Sequence, residues 1–260
     1  MRIGAYQFAV SNGIDHNYEV IKKAIIRAAE EGIKLLVFPE CALTGYPPRD
    51  IESSSVVDFQ KLDKVYDQLQ DLINEKEIYV IIGTILREDD EHYNSAIILK
   101  PNQDKQFYHK RALWGWDRDN FCAGSENGIF EIDGCKIGVR ICFEVRFPEF
   151  FRELYKDRTD LNIILFYDVA DADDEERYDL IKAHIRTRAV ENVTHTLTVD
   201  TISPYQTAPT ALYDKSGYPL IELKRNEEGL LVYDLDNFEL DFGEKGRVEV
   251  SDWLLKFLDV

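Results

Sequence analysis

A carboxylate, an ammonium and a thiol each follow a strand-like run: Glu40 comes after LLVFP, Lys110 after KQFYH and Cys142 after KIGVRI. In α/β sheets the ligand crevice lies outside the carboxyl ends of the strands, so three such positions can converge. Converged, they would suit acyl transfer. Cysteine is the best nucleophile among the common side chains at neutral pH. Lys110 would lower the thiol pKa and stabilise an oxyanion, and Glu40 would carry protons between thiol, leaving amine and attacking water. Phe143 follows the thiol, which places its backbone N–H as an oxyanion donor. Each residue also has a plainer reading. A Glu or Lys at a strand end is commonly a cap or a surface charge, and a Cys between Ile141 and Phe143 is commonly a small buried hydrophobe.

Two other arrangements stay open at this level. Cys142 could pair with a histidine in the papain manner, with His109 the obvious candidate. Neighbouring side chains on an extended strand point to opposite faces, however, so His109 and Lys110 should not both face the thiol. The chain could also be a catalytically silent binding or scaffold protein that keeps the reactive residues.

Periodicity gives the elements that would position these groups. Residues 1–10 read as a strand, residues 15–31 carry Tyr18, Ile21, Ala24, Ile25 and Ala28 at helical spacing, and Gly32 stands where a helix ends. Residues 35–38 form the continuous apolar run of a strand covered on both faces. A second helix is predicted over 55–74, strands over 78–86, 94–100 and 105–109, and a strand pair over 130–141 joined at Asp133 and Gly134. A helix is predicted from Pro148 to Tyr155, a buried strand over 161–167 and a helix over 173–192, opened by Asp173, Asp174, Glu175 and Glu176. HTLTVDTI, TALYD and LLVYDLD extend the sheets. The order predicts one α/β domain over 1–260, a layered sandwich of sheets and helices. The terminal residues 253–258 are apolar enough to need a covering surface, on this chain or on another subunit.

Apolar residues make up 45% of the 260, enough for a buried interior, and the formal net charge is −18. That charge disfavours a nucleic-acid partner. No apolar run approaches the roughly 20 residues that span a bilayer, so no membrane partner is expected. The four cysteines, at 41, 122, 135 and 142, make no C-x-x-C pair, so neither a zinc site nor a dense disulfide framework is expected. With an amino terminus that reads as a strand and not as an export signal, a reducing cytoplasm is the expected compartment.

The words around the three reactive residues are FPECALTGYPPRD (38–50), YHKRALWGWDRDNFCAG (108–124) and GVRICFEVRFPEFFREL (138–154). Together with YNSA (93–96) and RTRAVEN (186–192), they resemble the nitrilase-related carbon–nitrogen hydrolases, in order and over most of the chain. The resemblance implies a four-layer α-β-β-α sandwich, usually paired into a homodimer or higher homo-oligomer, with no metal and no organic cofactor. It gives Glu40, Lys110 and Cys142 the roles of base, lysine and nucleophile. It implies a small-molecule substrate, an amide by preference, with N-carbamoyl compounds and nitriles as alternatives.

The resemblance is incomplete in two places. Many members carry a second glutamate between lysine and cysteine; that position falls near Asp117, which would instead pair with Arg118 or cap a turn if it has no site role. The stretch after the corresponding strand is Phe166-Tyr167-Asp168-Val169-Ala170-Asp171 here, so Asp168 could select an amine or guanidinium group. Tyr46, Trp114 and Trp116 either line the pocket or pack in the core. Glu144 and Arg146 are expected to form an ion pair or to bond loop backbone, and Arg188 and Glu191 to join structural salt bridges.

Overall fold

The structure is a computed structural model describing residues 1–236 and 238–258, with the side chains of Phe257 and Leu258 outside the described residues. The first half runs β1 (Arg2–Gln7), α1 (Ile14–Glu30), β2 (Leu35–Val37), α2 (Phe59–Lys76), β3 (Tyr79–Glu88), β4 (Glu91–Leu99), β5 (Gln106–His109) and α3 (Trp116–Asn120). Then come β6 (Ile129–Ile132), β7 (Cys135–Ile141), α4 (Pro148–Lys156), β8 (Leu161–Leu165), β9 (Val169–Ala170), α5 (Glu175–Asn192) and β10 (His195–Val199). The chain closes with β11 (Tyr205–Gln206), β12 (Ala211–Tyr213), β13 (Pro219–Glu222), β14 (Gly229–Asp234) and α6 (Phe242–Leu258).

Two six-stranded sheets result, ordered β14-β1-β2-β3-β4-β5 and β13-β12-β10-β8-β7-β6. Their parallel centres, β1-β2-β3 and β7-β8-β10, are the strands whose sequences read as unbroken apolar runs. Three cores explain the layering. One lies between the first sheet and helices α1 and α2, and includes Ile21, Ile25, Leu62 and Leu69. The second joins the inner faces of the two sheets through Ile3, Leu35, Ile81, Val139, Ile163 and Leu197. The third seals the second sheet with α4 and α5 through Phe151, Leu154, Ile181 and Ile185. The molecule is therefore an α-β-β-α sandwich, the fold predicted.

Several boundaries differ for identifiable reasons. The helix expected over 55–74 begins only at Phe59, because the Asp58 carboxylate accepts the Lys61 amide and fixes the start there; the preceding Ser54–Val56 is a 3-10 turn. The helix expected from 173 begins at Glu175 with Asp174 as its cap, its carboxylate accepting the Arg177 amide. The hairpin between β6 and β7 turns at Asp133 (φ 52°) and Gly134 (φ 76°), as predicted. Helices α3 and α6 are additions. The first spans five residues, too few for periodicity to register, and the second leaves Val250, Trp253 and Leu254 about half exposed, so its apolar residues trace no single buried stripe.

The fold positions the site through strand direction. β5 is antiparallel to β4, which is antiparallel to β3, so β5 ends on the same edge as β2 and β3. Glu40, Lys110 and Cys142 thus leave three carboxyl ends. Gly83 in β3 makes this possible for Glu40: a Cβ there would lie 2.1 Å from the Pro39 carbonyl oxygen and 2.4 Å from the Glu40 Cα. The bare backbone lets residues 39–41 cross the strand, with the Gly83 amide donating to the Pro39 carbonyl at 3.1 Å.

Candidate active site

Glu40, Lys110 and Asp117 are buried together. The Lys110 ammonium lies 2.8 Å from Glu40 Oε1 and 2.8 Å from Asp117 Oδ2, so one cation serves two carboxylates. Asp117 therefore reaches the lysine despite its shorter side chain; it does not pair with Arg118, whose Nε donates to the Leu113 carbonyl. The short helix α3 carries Asp117 inward, and Tyr46 Oη donates to Asp117 Oδ1 at 2.9 Å. Tyr46 is thus part of the site as well as part of its wall, stacked on Tyr167 with ring centroids 5.0 Å apart.

Glu40 is held by three donors. Asn94 Nδ2 and Lys110 Nζ both donate to Oε1, at 2.6 and 2.8 Å, and the Tyr167 amide donates to Oε2 at 2.8 Å. Burial raises the Glu40 pKa above the ordinary carboxylate value; Lys110 opposes the rise and Asp117 adds to it. Burial also works against the Lys110 ammonium, but Glu40 and Asp117 outweigh it and hold that pKa well above a free lysine's. The combination is a fixed cation beside a carboxylate with enhanced basicity.

Cys142 opens a 3-10 turn, Cys142–Arg146, with a φ of 44° that few non-glycine residues adopt. Phe143 is the next residue of that turn, where no preceding turn supplies an acceptor for its amide. Glu144 anchors the arrangement from below. Its Oε2 accepts the Ile141 amide at 2.7 Å, and its Oε1 accepts the Arg111 amide at 2.7 Å and the Tyr108 hydroxyl at 2.8 Å. Of the two uses expected for Glu144, bonding to loop backbone is the one realised; no ion pair with Arg146 forms among the described residues. The Cys142 thiol pKa is raised well above its usual value by burial and by Glu40, with Lys110 pulling the other way. The expected acidification by Lys110 is therefore real in direction but outweighed.

His109 takes no part. Its Nδ1 lies 2.6 Å from Ser95 Oγ and its Nε2 3.2 Å from Glu88, on the side of β5 away from Glu40. The papain-like pairing is thus not formed. A cavity of about 610 Å³ opens onto Cys142, lined by Tyr46, Phe143, Tyr167 and Asp168, with Trp114 and Trp116 exposed at its rim. Asp168 is buried in this wall, and its Oδ1 already accepts Nε and Nη2 of Arg177 at 2.9 and 2.7 Å. The guanidinium that Asp168 holds belongs to the chain itself. A larger cavity, about 1050 Å³ between α4 and α6, contains none of the reactive residues.

The profile of the carbon–nitrogen hydrolase family matches residues 2–240. The chain belongs to that family. This carbon–nitrogen hydrolase is 28% identical over 199 residues to a nitrilase of Pyrococcus abyssi, covering 72% of the chain and 70% of the relative. It is 30% identical over 165 residues to the 2-oxoglutaramate amidase of Bacillus subtilis, covering 58% of the chain and 59% of that enzyme's length. A crystal structure of an amidase from Nesterenkonia sp. shares the fold at a TM-score of 0.79 and 24% identity, over 95% of each chain. Among the described residues, no helix is long and apolar enough to cross a membrane and no cluster of His, Cys, Asp or Glu could hold a metal ion.

Two groups that hold Glu40 in this carbon–nitrogen hydrolase escaped the sequence. Asn94 lay inside the YNSA word without a role, although a buried amide side chain heading the apolar run of β4 was the available signal. The Tyr167 amide is a backbone donor, which leaves no trace in residue type. Arg188 and Glu191 form the predicted salt bridge, at 2.6 Å.

Proposed function

We propose that this carbon–nitrogen hydrolase cleaves a linear small-molecule amide through a thioester on Cys142. The observation that carries the reading is a half-buried thiol opening onto the same site as a buried carboxylate that is locked in place by Lys110, Asn94 and the Tyr167 amide. Glu40 takes the thiol proton as Sγ attacks the carbonyl carbon, and the C=O pair moves onto oxygen. Lys110 and the Phe143 N–H stabilise that oxyanion. Collapse re-forms the carbonyl and breaks the C–N bond, with Glu40 returning the proton to the departing ammonia or amine. Water then attacks the thioester, losing a proton to Glu40, and collapse releases the carboxylic acid while Sγ recovers its proton. The pool of groups is complete without a metal or organic cofactor.

Ammonia release from ω-amides, N-carbamoyl amines and nitriles, measured beside Cys142→Ala, tests this reading. We expect turnover of at least one amide and none by Cys142→Ala. Turnover that survives the substitution, or a preference for nitriles over every amide, overturns it.

A homodimer fits the same reading, since Val250, Trp253 and Leu254 leave an apolar strip on α6. Light scattering is expected to give twice the chain mass, and Val250→Glu to shift the protein toward monomer; a monomeric wild type rejects the pairing. A reducing cytoplasm remains the compartment that suits a catalytic thiol.

A further inference from the structure

The cavity that opens onto Cys142 is lined by segments far apart in sequence, and one side chain ties three of them together. Arg49 forms an ion pair with Asp171 through Nη1 and Oδ1, and its guanidinium lies 5.5 Å from the centroid of the Trp116 ring. All three residues line the cavity. The Asp171 side chain is 84% exposed and Trp116 is 48% exposed, whereas the Arg49 side chain is only 24% exposed. The junction therefore stands at the solvent edge of the cavity, with Arg49 covered beneath it. Arg118 makes a useful contrast. It stacks on Trp114 from the same short segment, 4.9 Å from the ring centroid, and spans nothing.

The supports of the junction are fixed. The Asp50 amide donates to the Tyr46 carbonyl at 2.8 Å and the Tyr46 amide to Asp50 Oδ2 at 2.9 Å, which closes the turn that carries Arg49. Asp171 directly follows β9, whose two residues pair with β11. Trp116 opens α3, and the next residue, Asp117, is tied to Lys110. Three anchored segments thus meet through side chains alone, so the junction can part by rotamer changes without disturbing its supports. An exposed ion pair is weak and screened by salt, and a cation–π contact at an exposed site adds a similarly small amount. Closure on that scale makes a gate and not a wall.

We propose that Arg49 is a size filter for the site: its junction with Asp171 and Trp116 narrows the mouth, so that slender amides reach Cys142 freely and bulky ones wait for the junction to part. The choice of amides rests on the amide-hydrolase reading above; the filter itself concerns any molecule that approaches the thiol.

The test is the alkylation of Cys142, followed by peptide mapping, with iodoacetamide and with an iodoacetamide carrying a naphthyl group on nitrogen. Each rate is divided by that for free cysteine, and the bulky-to-slender ratio is compared between proteins. The ratio cancels any change in the reactivity of the thiol itself. Arg49→Met is expected to raise it roughly five- to thirtyfold, the combined worth of the two contacts. Asp171→Asn, which keeps Arg49 and stays exposed, is expected to raise it in the same direction. Going from about 20 mM to about 500 mM NaCl should raise it in the wild type and leave it unchanged in Arg49→Met. The ratio of kcat/KM for N-benzylbutyramide to that for butyramide should follow the same order. A labelling ratio unmoved by both substitutions and by salt overturns the filter and leaves the amidase reading standing. Absence of amide turnover would sink that reading alone, since the labelling ratios still decide the filter.

Discussion

Lys110→Met is expected to remove detectable turnover and to cost the fold about 3–5 kcal/mol at neutral pH, the range for stripping one partner from a buried ion pair. The reason is that Lys110 is the only cation within ion-pair distance of both Glu40 and Asp117 among the described residues. Methionine fills similar volume, so little of the effect comes from a cavity. The pH dependence has a definite sign. A buried carboxylate without its cation has a folded-state pKa above its unfolded value, as Glu40 already has with the cation present. Such a group binds protons more tightly folded than unfolded, so its protonation supports the fold at low pH and that support is lost as pH rises through the raised value. Urea unfolding should therefore show a large deficit near pH 8 and a smaller one near pH 5. Equal deficits at both would mean that the two carboxylates do not share the lysine.

Glu40→Gln separates basicity from structure. The three groups around the Glu40 oxygens are all donors, so the amide nitrogen of glutamine meets a donor in either orientation. Lys110 keeps Asp117 as a partner, and the fold should lose less than in Lys110→Met. Turnover should fall by about 100- to 10,000-fold, the usual worth of a positioned general base. The thiol should respond in the opposite direction. Glu40 is one of the causes holding the Cys142 pKa up, so removing its charge makes the thiol more acidic. Iodoacetamide labelling of Cys142 should then move to lower pH while catalysis collapses. Turnover within tenfold of wild type would assign the base to another group.

The placing of Glu40, Lys110 and Cys142 past strand ends and the layered architecture were legible because each is written in residue type and period. Apolar runs such as residues 35–37 and 161–165 declare buried parallel strands, and reactive residues just past their ends declare the edge where they meet. Asp117 was only half legible: its position in the chain was suggestive, but that it reaches Lys110 depends on the short helix α3 turning inward, which no periodicity announces. The Tyr167 amide was invisible, since it depends on which hydrogen bonds the backbone leaves unused. Of the two uses expected for Glu144 and Arg146, the ion pair does not form among the described residues, because Glu144 points to the Ile141, Arg111 and Tyr108 donors.

That use of Glu144 has a consequence for how the enzyme can change. One carboxylate fastens the strand end that bears Cys142 to the segment that follows Lys110, so the spacing of those two residues is written into a single side chain. The cavity-lining residues Trp114, Asp168 and Arg177 sit on other segments, Arg177 in the first turn of α5. Selection for a new substrate can therefore rework the entrance without retuning the chemistry, and the same reactive core can outlast many changes of diet.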